Sequence, residues 1–515
     1  MSDATITYIV LAAAVVVFVW DRLPVALVAV GVALALWATG VLDLDQAIAG
    51  FGDQTVVFIA SLFVVSEALD ASGVTAWAGQ ALTARVGESR TRLIVLTLLL
   101  VALLTALISV NGSVAALVPV TVVLALRLKR PPSQLLMPLA FGAHAGSLLA
   151  LTGTPVNVIV SDAAAQAGVG RFGFFAFAVA GVPLVAGTIA IVVLLGERLL
   201  PHRPAQASTR DFSDHARTLL DQWEIDHPDL LTRTSGAAEV VIPPRSDLAG
   251  ERVFPGMVTD SGDLVVLGVR RRDRQLAGEA ALEPGDLLLI QGAWRDLDRQ
   301  LDNVLVVDPP ELVRRAVPLG EGAKRAMAVL VAMVALLATG AVPPAAAGLL
   351  AACALVALGV LTPEQAYRGV SWTTVILVAG MIPLSTAMLA SGAAEQLADR
   401  LVDVVGGAGP YALLAGLVVL TMVFGQLISN VATALIVIPI AVSAAHDMDV
   451  SVKPVLMAVA VAAAAAFLTP VATPANLMVM EPGGYRFGDY WKLGLPLAVM
   501  FGAVAILVVP LFWSF

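Results

Sequence analysis

The chain has 515 residues, 59% hydrophobic and only 13% charged, with a formal net charge of −9 and a mean hydropathy of +0.89. Soluble domains carry about 25% charged residues, so most of this chain must face lipid, and where its charges fall matters more than their sum. A single cysteine, Cys353, excludes an internal disulfide framework; it lies in an apolar stretch and is expected to be a small packed residue.

Apolar segments fall at roughly 6–20, 24–41, 55–72, 93–126, 135–166 and 177–199. The first is not expected to be a signal peptide: Met1-Ser2-Asp3 supplies no cationic start, and a second apolar run follows Asp21-Arg22 at once. A crossing helix takes about 20 apolar residues. The fourth segment is too long for one crossing and short for two, and its middle carries Asn111-Gly112-Ser113. A re-entrant helical hairpin is expected there, because irregular backbone is tolerated at depth only inside protein or beside water. The fifth segment is interrupted by Thr152-Gly153-Thr154-Pro155, which should leave two half-helices.

From about residue 201 to 320 the composition becomes that of a soluble module. Short apolar runs at 238–242, 264–269, 286–290 and 304–307 read as strands of a small α+β unit, and 208–223 as a helix leading to it. The stretch Arg270-Arg271-Arg272-Asp273-Arg274 reads first as a solvated hairpin loop and second as a contact for an anion or a lipid headgroup.

After the insert the chain repeats itself, with apolar segments at roughly 326–340, 343–361, 374–390, 411–445, 454–480 and 492–513. Pro24 answers to Pro343, Gly50 to Gly369, Gly73 to Gly392, Asn111 to Asn430, Thr154-Pro155 to Thr473-Pro474 and Asn157 to Asn476. Each pair lies 319 residues apart, and no gap is called for between Pro24 and Asn157. Fused repeats in a very apolar chain mark transporters whose substrate sits at the repeat interface. Five crossings per half, an odd number, invert the second copy. Placing residues such as Arg22, Arg90, Arg130, Arg203, Lys324 and Lys492 inside leaves only Arg171, Arg400 and Lys453 outside, as the positive-inside rule requires. The expectation is a polytopic α-helical protein of the plasma membrane. It has two inverted repeats (1–200 and 321–515), each about five crossings plus a re-entrant hairpin and a broken helix, around a cytoplasmic module (201–320). Both termini lie on the outer side.

Ionisable groups at membrane depth are expensive and usually functional, and here they are scarce. Glu67 and Asp70 sit near a segment end; Glu67 is expected to be structural or interfacial. His144 precedes the first break and has no counterpart, since position 463 is Ala463; it reads first as a polar packing residue. Without buried Lys or Arg, an anion can still be held by half-helix N-termini. The residues beside those termini are Asn111, Gly112, Ser113, Thr154, Pro155 and Asn157, then Ser429, Asn430, Val431, Thr433, Thr473, Pro474 and Asn476. Carbonyls of the unwound backbone suit a hard cation such as Na⁺. The plain alternative is that Asn and Thr merely stitch small-residue helices together, and matched placement in both halves weighs against it. No HExxH, Cys/His cluster, Ser-His-Asp set or P-loop is present, so neither an enzyme nor an ATP-driven pump is expected. The competing readings are a ligand-gated channel and an H⁺-coupled carrier or exchanger. Nucleic acid is not an expected partner.

Ser429-Asn430-Val431-Ala432-Thr433 with Ile438-Pro439, the run from Thr469 to Asn476, and Gly153-Thr154-Pro155-Val156-Asn157 resemble the divalent anion/sodium symporter family, the dicarboxylate, citrate and sulfate carriers. The resemblance implies Na⁺ held by Asn111 with Gly153 and by Asn430 with Ala472. It also implies anion contacts from the tips, Thr154 and Thr473, and an elevator-like movement in a homodimer. The family's tips commonly read Ser-Asn-Thr, whereas these read Val110-Asn111-Gly112 and Ser429-Asn430-Val431, which turns attention to Ser113 and Thr433. Within the insert, Val241-Ile242 through Gly250 and Glu283 to Ile290 resemble the TrkA-C part of K⁺-conductance regulators. That implies a regulatory module with an unidentified small ligand.

Overall fold

A computed structural model describes residues 2–20, 22–75, 77–79, 89–127, 130–203, 235–242, 250–258, 264–271, 274–276, 278–293, 305–306, 319–320, 322–405, 409–470 and 472–515. The helix expected over 208–223, residues 243–249 of the insert's signature, Arg272 and Asp273 lie outside these residues. The chain forms two compact units, one of residues 1–67, 82–208 and 328–515, the other of 68–81 and 209–327. Residues 68–81, which the sequence assigns to the first repeat, join the second unit. There the Gly73 and Ser72 carbonyls accept from Leu319 N (3.2 Å) and Gly320 N (2.9 Å).

Among the described residues, eight helices are long and apolar enough to cross a membrane, with four shorter apolar helices beside them. The first repeat runs α1 (Asp3–Trp20), α2 (Val25–Ala38), α3 (Leu44–Ile48), α4 (Gln54–Ala71), α5 (Arg90–Leu107), α6 (Val110–Arg127), α7 (Leu136–Gly146), α8 (Pro155–Gln166) and α9 (Ala178–Leu199). The second runs α10 (Ala323–Thr339), α11 (Pro344–Ala357), α12 (Pro363–Gly369), α13 (Trp372–Ala390), α14 (Ala393–Val405), α15 (Pro410–Leu427), α16 (Asn430–Asp447), α17 (Val452–Ala464), α18 (Pro474–Met480), α19 (Tyr490–Ala503) and α20 (Val509–Phe512).

The repeat is structural as well as textual. Asp43 caps α3 by accepting from Gln46 N at 2.7 Å while Gln46 Oε1 accepts from Asp43 N at 3.1 Å. Thr362 and Gln365 make the same reciprocal box at α12, at 3.2 and 3.0 Å. The two copies also exchange contacts. Gly380 of α13 lies against the Ala29 backbone of α2, and Gly348 of α11 lies against Ser61 of α4. Gly348 is the repeat partner of Ala29, and Gly380 that of Ser61. A contact returned by its own equivalents is the signature of two-fold symmetry, so the repeats are related by a pseudo-dyad.

Two details depart from the sequence reading. Cys353 is exposed on α11, because the packed face of that helix is taken by Ala347, Gly348, Ala351 and Leu355. In addition, α5 and α6 are each 18 residues long, about 27 Å at the helical rise, because they continue past the apolar run into Arg90 and Arg127.

The second unit is a five-stranded antiparallel sheet in the order β4-β3-β6-β1-β7, from β1 (Ser235–Val241), β3 (Leu264–Arg271), β4 (Arg274–Gln275), β6 (Leu287–Ala293) and β7 (Leu305–Val306). A two-stranded ribbon pairs β2 (Arg252–Val253) with β5 (Ala280–Ala281). Val240, Ile242, Leu264, Val266, Val269, Leu288 and Ile290 form its core. Arg271 is engaged internally: it grips buried Asp286 through Nε and Nη2, both at 2.7 Å, and Glu283 through Nη1 at 2.7 Å. Burial alone would raise the Asp286 carboxyl, but the Arg271 bond, the Glu283 N–H and the Arg271 charge together hold it below its usual range.

Where the first repeat ends, a polar clamp closes the backbone. Arg203 Nη1 donates to Asp489 Oδ2 at 2.7 Å and to the Gly484 carbonyl. Ser133 Oγ donates to Pro201 O at 2.6 Å, and the Tyr485 hydroxyl both donates to Ser133 O and accepts from Met137 N.

Candidate functional site

The hairpin tips come first, since they aim two helix N-termini inward. Two residues separate the arms in each copy, Ile108-Ser109 in one and Ile428-Ser429 in the other. Ser109 Oγ accepts from Gly112 N at 3.1 Å, and Ser429 Oγ accepts from Ala432 N at 3.3 Å. The capping serines are therefore equivalent, and they lie 320 residues apart, not 319. The helix limits agree, as do the proline inside each exit helix (Pro119, Pro439) and the packed stripe of each entry helix. In that stripe Leu93, Ile94, Leu98 and Val101 answer to Leu413, Leu414, Val418 and Thr421.

This corrects the ungapped alignment. One residue is gained before the hairpin in the second copy and lost again after it. Asn111 is not the partner of Asn430; its partner is Val431, and Val110 answers to Asn430. Ser113 and Thr433, however, are true equivalents. Asn111 is exposed, whereas Asn430 is half-buried with Oδ1 enclosed and unpartnered. The Ser113 hydroxyl is buried and bonded to Thr105 Oγ1 and to the carbonyls of Ser109 (2.8 Å) and Val110 (3.1 Å). Thr433 Oγ1 is buried and unpartnered.

The breaks follow the 319 spacing. Helix α7 ends at Gly146, six residues before the expected interruption, and α17 ends at Ala464. An early end is required because each break has an internal tie. Asn157 Nδ2 donates to Ser147 O (2.8 Å) and Ala150 O (2.9 Å). Asn476 Nδ2 donates to Ala466 O (2.8 Å) and Thr469 O (3.1 Å), the same three positions in the second copy. Both amides are fully buried, and both leave Oδ1 without a partner. Thr154 and Thr473 then cap α8 and α18, accepting from Val156 N and Asn476 N at 3.4 Å each. Pro155 and Pro474 take the first helical position, where a missing N–H costs nothing.

Outer helices press on the unwound backbone. A methyl group at Gly181 of α9 would overlap the Leu148 carbonyl, and one at Gly494 of α19 would overlap the Phe467 carbonyl. Leu148 and Phe467 are repeat partners. Only glycine admits this approach of helix to backbone. Gly153 is likewise fixed, against Ser147 O.

All four motifs converge. Exit helix α6 packs on α7 of its own copy and on α18 of the other, and α16 packs on α17 and on α8. Two features break the symmetry. Gln426 of α15 donates to Ala465 O (3.1 Å) and accepts from Leu468 N (2.9 Å), work done in the first copy by Thr152 donating to Ala106 O (2.7 Å). His144, 1% exposed, reaches across the dyad to Thr473 Oγ1 at 3.2 Å. Ser109, Gln426 and this bridge were not read from the sequence. The matched prolines 119 and 439 were the available signal for the first.

A helical unit of this kind, with paired tips and paired breaks, can bind and release a small solute. The profile of the citrate transporter family (CitMHS) matches residues 15–448 and 388–515, nearly the whole chain. The chain belongs to the citrate transporter family. It is a multi-pass membrane transporter, not an enzyme, and its substrate is anionic. This transporter is 31% identical to the uncharacterized transporter YfbS of Escherichia coli over 98% of both chains. It is 24% identical to sodium/sulfate cotransporter 1 of Chlamydomonas reinhardtii, over 56% of this chain and 34% of that one. The crystal structure of the YdaH transporter of Alcanivorax borkumensis shares the fold, with a TM-score of 0.52 and 13% identity, covering 97% of this chain and 99% of that one.

Proposed function

We propose that this transporter carries a small divalent anion, sulfate or a dicarboxylate, together with Na⁺ across the plasma membrane. Three buried amide oxygens carry the reading: Oδ1 of Asn157, Asn430 and Asn476, none with a hydrogen-bond donor. Bare oxygens are what a hard cation replaces its water with, and no group of three His, Cys, Asp or Glu stands among the described residues to favour a transition metal. One of these oxygens, Asn430 Oδ1, is assigned to Na⁺ with the Ala472 carbonyl; the family resemblance assigns a second ion to Asn111 with Gly153, where the amide is displaced by one residue and exposed. The capped tips (Gly112, Ser113, Ser429, Val431, Thr433) and the threonines at the break entries (Thr154, Thr473), each followed by a donorless proline (Pro155, Pro474) that fixes the turn, then offer the anion N–H and hydroxyl donors instead of Lys or Arg. A relative named as a sodium/sulfate cotransporter supports this pairing. Transport follows an elevator-like movement of tips and breaks in a homodimer, with the sheet unit on the cytoplasmic side as a TrkA-C-like regulatory module for a small ligand.

Uptake of labelled sulfate and of labelled succinate into proteoliposomes tests this. Stimulation of either by an inward Na⁺ gradient is the expected result. Uptake indifferent to Na⁺ removes the sodium coupling, and a single-channel conductance removes the carrier.

A further inference from the structure

His144 stands in the first repeat and bonds a residue of the second, and nothing in the pseudo-symmetry demands it, since the equivalent position holds Ala463. It is buried to 1% exposure, edge-on to Phe467 at 5.8 Å between ring centres. Its Nε2 lies 3.2 Å from Thr473 Oγ1, and its Nδ1 is buried without a partner. Thr473 Oγ1 already accepts from Asn476 N at 3.4 Å.

A hydroxyl offers two lone pairs and one hydrogen. If Nε2 carries the ring proton, both lone pairs of Thr473 are filled, by Asn476 N–H and His144 N–H, and its own hydrogen must point elsewhere. If Nδ1 carries the proton, Thr473 gives its hydrogen to the ring and has none to offer. The Asn476 side chain also faces the ring, but no acceptor lies within hydrogen-bond distance of Nδ1, so the second arrangement leaves its N–H orphaned in the interior. Orphaned buried donors are rarer than under-used acceptors. The first leaves only a bare lone pair at Nδ1.

We propose that His144 is a positioning residue: its Nε2–H fixes Thr473 as a hydrogen donor to the transported anion, on the second-repeat side of the site alone. Thr154, capped without such a bridge, keeps a lone pair free and can turn either way. The anion is therefore held asymmetrically, by one oriented hydroxyl and one adaptable one. This rests on the anion-carrier reading above.

Two measurements decide it. Nitrogen NMR of ¹⁵N-histidine-labelled protein in detergent, with the His144 signal assigned by its loss in H144Q, should show a neutral ring protonated at Nε2. Protonation at Nδ1 overturns the proposal whatever the substrate. Transport kinetics with labelled sulfate and succinate supply the second arm. Thr473→Val, which keeps the shape, and His144→Leu should each raise KM about tenfold with Vmax held within about twofold, as loss of one oriented hydrogen bond to a charge predicts. The double variant should be no worse than Thr473→Val, and His144→Gln, which retains a donor, should recover most of the loss. Additive losses, or normal kinetics in His144→Leu beside an impaired Thr473→Val, overturn the proposal. Normal kinetics in Thr473→Val itself instead removes Thr473 from the anion site and with it the parent reading.

Discussion

In the first repeat the tip serine is followed by Val110 and Asn111; in the second it is followed by Asn430 and Val431, so one cap carries its amide at two different places. The breaks behave in the opposite way. Asn157 and Asn476 occupy equivalent positions and donate to equivalent carbonyls at nearly equal distances. The contrast separates two kinds of constraint. Unwinding a helix inside a membrane leaves carbonyls that must be satisfied, and the same solution is kept in both copies. A tip needs only a cap, and the residue beyond the cap is free to diverge.

The sharpest way to break the comparison is at the tips. Asn430→Ala should reduce Na⁺-driven uptake more than 100-fold while the purified protein keeps its elution profile, whereas Asn111→Ala, losing an exposed amide, should reduce it about tenfold or less. Equal losses would restore the two asparagines to equivalence. At the breaks the expectation is parity. Asn157→Leu and Asn476→Leu each remove two buried hydrogen bonds and should each lower stability by about 2–4 kcal/mol, read as matched falls in Tm. A large difference between them would mean that the ties are not equivalent. Gln426→Leu tests a tie found in one copy only. It orphans the Leu468 N–H and should cost about 1–3 kcal/mol, with no comparable effect from changing Ala106. The smallest effects belong to the caps: Ser109→Ala and Ser429→Ala should each cost about 1 kcal/mol.

Much of the fold was legible in the sequence because membrane burial leaves strong marks. Apolar runs, with Pro and Gly at breaks, located the segments and the hairpins, and the four short apolar runs between the halves each fall within a few residues of a strand. The tip register was not legible through asparagine matching. Asn111 and Asn430 coincide at 319 by accident of neighbouring positions, and only the caps, the stripe of packed residues and the paired prolines show the true spacing. Cys353 was misread because a transmembrane helix is apolar on its outer face too, so hydrophobic surroundings do not imply burial. His144 lay beyond reach because its partner is 329 residues away in the other copy.

The glycine contacts carry a mechanical consequence. Gly181 and Gly494 meet the breaks backbone to backbone, with no side chain able to change rotamer and let the surfaces slide. Whatever displaces the breaks during transport must therefore carry α9 and α19 along. Arg203, at the end of α9 and clamped to Asp489 just before α19, travels with them. The first repeat ends at this clamp, and the second opens with α10, the repeat counterpart of α1.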